Sequence, residues 1–154
     1  MKKNALVRGL VAGAAGTAAL DIVTYLDMAI RGRPPSEVPK KTVQRLAQSA
    51  GLHVLDGDDG KVENRRTAAG AIAGYMDGLC AGAAYGAARS LLPIPWYVGA
   101  TALAGLTLLV GEGTAVRAGA TDWRTWSAAD WISDLVPRAV YGVVTARAYD
   151  MLDA

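Results

Sequence analysis

Six ionisable residues lie within or at the edges of apolar stretches of this chain: Asp21, Asp27, Asp77, Glu112, Arg138 and Arg147. Carboxylates in such surroundings can relay protons or bind a cation, and a nearby arginine can neutralise them. Asp21 lies two four-residue steps beyond Gly13, through Thr17, so on a helix the three share a face. Asp77 follows Gly74 by three residues and stands beside a run of spaced glycines. The expectation is that Asp21 and Asp77 face one shared cavity where their helices cross, with Arg138 or Arg147 as counter-charge. Asp27 and Glu112 fall nearer helix ends, where Asp27 can pair with Arg31 and Glu112 can reach water. The bland alternative makes all six charges structural pairs that join helices.

Other chemistries are poorly supplied. Cys80 is the only cysteine and His53 the only histidine, which leaves no internal disulfide, no CxxC pair and no cysteine- or histidine-rich metal site. A Ser/His/Asp set would have to use His53, and no nucleophile–base set is recognisable, so an enzyme ranks last and no cofactor or metal is expected. Asp56, Asp58, Asp59, Gly60 and Glu63 fall one residue short of calcium-loop spacing and read as a solvated turn. Net charge is +2, with Lys and Arg interspersed among acids, which gives no basic stripe for nucleic acid.

The elements that must carry these residues are membrane-like in composition. Apolar residues make up 52%, charged residues 19%, and mean hydropathy is +0.21. The length suits one domain, 1–154, and the expected architecture is an all-α polytopic bundle of about four transmembrane helices with glycine-zipper packing. The spans are expected near 5–30, 67–90, 92–114 and 135–153, with Pro137 in the first turn of the last. Lys2, Lys3 and Arg8 before an apolar run imitate a secretory signal, but the run continues past Asp21 to Ile30 and fills a whole span. Arg147 and Asp150, three apart, and Asp134 and Arg138, four apart, are expected local pairs in the last span.

Between spans, 31–66 is polar, and Val43, Leu46, Ala47 and Ala50 on one face predict a short amphipathic helix ended by Gly51. The turn at 56–60 has short apolar flanks that can pair as a hairpin. Trp123, Trp126 and Trp131 predict a surface-lying helix over 118–133, and Trp96 an anchor at the start of the third span. The eight Lys and Arg of 31–66 put that loop in the cytoplasm, whereas Lys2, Lys3 and Arg8 argue the reverse.

Gly70, Gly74, Gly78, Gly82 and Gly86 recur every four residues and predict close helix approach along a curved groove, with Gly9, Gly13 and Thr17 as the matching edge. Segments 9–16 and 78–86 are alike and raise the possibility of a duplicated helix pair. At Asp134-Leu135-Val136-Pro137-Arg138-Ala139-Val140-Tyr141-Gly142, together with the Gly/Ala-rich first helix, the chain resembles the YagU-like small bacterial inner-membrane proteins. That resemblance implies four spans in the bacterial cytoplasmic membrane. It carries over no residue chemistry, because Arg138 stands where the family has a histidine. The resulting expectation is a structural or interaction subunit whose partners are the lipid bilayer and a second copy or another membrane protein. The alternative is a small channel or proton/cation pathway that uses the buried aspartates.

Overall fold

Long runs of Ala, Leu, Val and Gly, broken only at proline and left-handed glycine positions, leave the chain little choice but helix. The computed structural model describes residues 4–154 and is all-α, with no strand among the described residues. The helices are α1 (Ala5–Arg31), α2 (Val38–Ser49), α3 (Gly60–Arg89), α4 (Trp96–Arg117) and α5 (Ala128–Asp153), with a 3-10 turn at Trp123–Thr125. Lys2 and Lys3, part of the signal-like pattern and of the orientation argument, lie outside the described residues.

The boundaries have local causes. Gly51, at φ +72°, stops α2 one residue beyond its C-cap, and Gly119, at φ +70°, does the same for α4. Asp59 caps α3 by accepting from the Val62 N–H at 2.7 Å. The turn at 56–59 therefore feeds directly into a helix, and the expected hairpin does not form. Ser127 and Asp130 make a reciprocal capping box that starts α5 at Ala128. This start lies two turns earlier than expected, so Pro137 stands inside the helix, not in its first turn. The expected surface-lying helix over 118–133 is accordingly absent: Trp123 belongs to the 3-10 turn and Trp131 to α5.

α1 packs against both α3 and α5, α4 packs against α5, and α2 lies across the start of α3; α3 and α4 touch far less. The long helices alternate in direction. Arg8 of α1 pairs with Asp153 at the end of α5, while Asp27, near the other end of α1, meets Ser133 near the start of α5. Gly9 and Gly13 lie against the backbone at Gly82 and Gly78, which runs α1 and α3 in opposite senses. α3 and α5 run parallel, since the Tyr141 hydroxyl donates to the Gly78 carbonyl at 2.6 Å and the Tyr149 hydroxyl to the Gly86 carbonyl at 3.3 Å.

The spaced glycines split between three environments. Gly78, Gly82 and Gly86 meet α1, Gly70 meets Pro39 and Lys40 of α2, and Gly74 has nothing within 4 Å of where a Cβ would stand. Each four-residue step turns by about 40°, so one straight neighbour cannot cover all five. Tyr141, Tyr149, Leu103, Ala12 and Ala146 fill the centre. The outside carries Ile22, Ile30, Ile72, Leu91 and Leu109, each more than half exposed. Of the described helices, α1 and α4 are long and apolar enough to cross a membrane.

Candidate functional site

The densest polar group in the bundle centres on Arg138. One turn earlier on α5, Asp134 accepts from its Nε and Nη2 at 2.9 to 3.0 Å, the i,i+4 pair expected from the sequence. From α4, Glu112 accepts from Nη2 at 2.9 Å and the Thr107 carbonyl from Nη1 at 2.6 Å. All three charged side chains are under 20% exposed. Glu112 therefore points into the bundle, contrary to the expectation that it reaches water. Its second oxygen, Oε2, is buried and has no hydrogen-bond partner.

Beside this group the loose α3–α4 seam opens into a cleft of about 180 Å³ lined by Asp77, Cys80, Ala81, Ala84, Leu106, Thr107 and Val110. Asp77 is exposed there and makes no hydrogen bond or ion pair among the described residues. The charge that acts on it is that of Arg138.

Asp21 is elsewhere. It accepts from the Tyr75 hydroxyl at 2.9 Å on the α1–α3 edge, and the expected cavity shared with Asp77 does not form. The reason is helix phase: Tyr75 and Asp77 are two positions apart, roughly 200° around α3, so one faces α1 and the other α4. Asp27 is a structural hub, accepting from Arg33 at 2.5 Å, Arg31 at 3.3 Å and Ser133 at 3.1 Å.

At the opposite end Arg147 neutralises no aspartate. Its guanidinium stacks over Trp96, 4.7 Å from the ring centroid, and the expected Arg147–Asp150 pair is not made. Asp150 instead meets Arg89 at 2.7 Å, and Arg89 also donates to the Tyr85 hydroxyl at 2.9 Å. The three remaining tryptophans gather at the Arg138 end: Trp126 donates to Thr121 at 3.0 Å and packs 5.0 Å from Trp131, while Trp123 is half exposed.

In the 31–66 connection the acids turn to separate partners. Lys40, 2.7 Å from Glu63, holds that carboxyl below its ordinary value, and the Gln48 amide and His53 do the same for Asp56. Among the described residues no three His, Cys, Asp or Glu side chains gather closely enough to hold a metal ion.

Two residues central to the bundle, Tyr141 and Tyr149, were not singled out by the polar-residue reading. Their eight-residue spacing equals that of Gly78 and Gly86, whose carbonyls they reach, and this matched spacing is a signal present in the sequence.

No protein-family model matches the chain, and no curated protein or solved structure matches it.

Proposed function

We propose that the chain is a multi-pass protein of the bacterial cytoplasmic membrane whose four spans are α1, the part of α3 from residue 67 onward, α4 and the part of α5 from residue 135 onward, serving as an interaction subunit. The many large Ile, Leu and Val side chains exposed on the outer surface support lipid as the surrounding medium. The resemblance to YagU-like proteins in the first and last spans supports the same compartment. The glycines at 78, 82 and 86 are occupied by the chain's own α1, which argues against a free glycine groove as the docking face.

The observation that carries the interaction reading is Asp77. A carboxylate in the middle of a span costs roughly 2.5–3.5 kcal/mol on insertion scales, and this one has no partner of its own. It opens onto a cleft floored by Cys80, Ala81 and Ala84, small enough for another helix to approach closely. The occupant that fits is a transmembrane helix of another membrane protein carrying a basic side chain at that depth. Asp77→Asn should release this partner from complexes isolated in mild detergent, with the bundle otherwise intact. Co-purification unchanged by Asp77→Asn and by the cleft-filling Ala84→Leu refutes the reading, and a purely self-associated complex redirects it to a second copy.

A second reading is a proton pathway, favoured by Asp77, Glu112 and Asp134 outnumbering Arg138 and by the unpartnered Oε2 of Glu112. It predicts proton flux in vesicles that Asp77→Asn abolishes; equal flux in both proteins rejects it.

A further inference from the structure

A second cleft lies at the end of the bundle and takes no part in the Arg138 group. It measures about 530 Å³ between α2 and the last turn of α4, lined by Arg45, Leu46, Gln48, Ser49, Thr114, Arg117 and Ala118. No acid lines it. Arg45 and Arg117 come from different helices, and neither has a hydrogen bond or ion pair among the described residues. Several cations of the 31–66 connection are already paired: Lys40 meets Glu37 and Glu63, Arg66 meets Glu63, and Arg31 and Arg33 meet Asp27, while Lys41, Lys61 and Arg65 lie outside the lining. Asp56, which touches the lining residue Gln48, is engaged with the Gln48 amide at 2.6 Å and with His53 at 2.7 Å.

Further along α4 the same face lines the α3–α4 cleft, whose wall is apolar apart from Asp77 and Thr107. Arg117, Thr114, Val110, Thr107 and Leu106 are separated by three, four, three and one residues, which places them along one face of α4. From Arg117 to Leu106 this face descends about 16 Å at 1.5 Å per residue. A basic, hydroxyl-bearing mouth above an apolar strip is the shape of a phosphate head with an acyl chain beneath it.

We infer that Arg45 and Arg117 bind the phosphate of an anionic phospholipid, with Thr114 at the headgroup and, where no partner helix fills the α3–α4 cleft, Val110 and Leu106 along the chain. Leu46 of α2 packs at the glycerol level. Since α2 and α4 are otherwise joined by few contacts, the bound head would tie the connecting loop to the fourth helix. The inference rests on the membrane reading above, so its test must separate the two.

The protein is reconstituted in vesicles of equal phosphatidylglycerol and phosphatidylcholine, then extracted into detergent, and retained lipid is counted by native mass spectrometry. Each basic side chain near an anionic surface contributes about a five-fold preference, so Arg45→Gln or Arg117→Gln should each lower phosphatidylglycerol retention about five-fold and the double variant about 25-fold. Arg65→Gln, on an exposed part of α3 outside the cleft, should leave it unchanged. Equal retention by wild type and the double variant overturns the site. Release of the lipid by millimolar inorganic phosphate overturns the lipid assignment in favour of a soluble phosphate ligand. Alkaline washing of the vesicles separates the premises: a chain that stays with the membrane yet shows no headgroup preference loses the site alone, and a chain that washes off loses both.

Discussion

Two alanine substitutions on one helix, two turns apart, should have opposite effects. At Gly82 a Cβ would stand 2.6 Å from the Gly13 Cα and 2.9 Å from the Gly13 nitrogen, both backbone atoms that cannot swing aside. Ordinary contact begins near 3.4 Å and the Gly9 carbonyl oxygen stands closer still, so α1 would have to retreat by at least about 0.8 Å. A radial gap of that size forfeits a quarter to a half of the dispersion energy at each neighbouring contact, and overpacking of this kind costs roughly 1–3 kcal/mol. At Gly74 a Cβ meets nothing within 4 Å. There the gain in helix propensity, about 0.5–1 kcal/mol, is unopposed. That gain is common to both sites and cancels in the comparison, which leaves Gly82→Ala about 1–3 kcal/mol less stable than Gly74→Ala. Reversible unfolding in mixed micelles titrated with dodecyl sulfate, followed by far-ultraviolet circular dichroism, measures the difference. Equal midpoints for the two variants would refute the close α1–α3 approach.

Further outcomes follow from the polar contacts. Arg138→Ala leaves Glu112 and Asp134 facing each other without their cation and should cost about 3–5 kcal/mol in the same titration, most of it recovered when Glu112→Gln and Asp134→Asn are added. Tyr141→Phe removes a buried hydroxyl donor to the Gly78 carbonyl and should cost about 0.5–1.5 kcal/mol, because that carbonyl keeps its bond within α3. The lowered carboxyl of Glu63 contributes stability above its unfolded value, and this contribution is lost as pH falls through the lower folded one. Amide exchange in Val38–Ser49, corrected for intrinsic rates, should therefore speed up when pH drops from 6 to 3, and Lys40→Met should flatten the response.

The sequence revealed features governed by neighbours along the chain. The uncharged run behind α4, the short helix at α2 and the Asp134–Arg138 pair all depend on spacing within one element. The start of α5 was equally local, since Ser127 and Asp130 announce a capping box, but the proline and the tryptophans drew the boundary later. The Asp21–Asp77 cavity failed for a subtler reason. Asp77 is one residue from Gly78 and therefore about 100° off the face that meets α1, a phase that residue type alone does not display. The Arg138–Glu112 contact depends on the register of α5 against α4, which is set by Gly142 seated on Ala100 and has no marker along either helix. The open α3–α4 seam is likewise a property of the assembled helices.

The Arg8–Asp153 contact brings the two ends of the described chain together. A short tether from one to the other would close the polypeptide into a ring, and the 118–127 connection could then be cut to make new termini without severing any long helix. Such a rearranged chain would separate the contribution of chain order from that of side-chain packing. By the same closeness, a reporter fused to either end would emerge on one side of the bundle, so two different tags could be compared without any change of compartment.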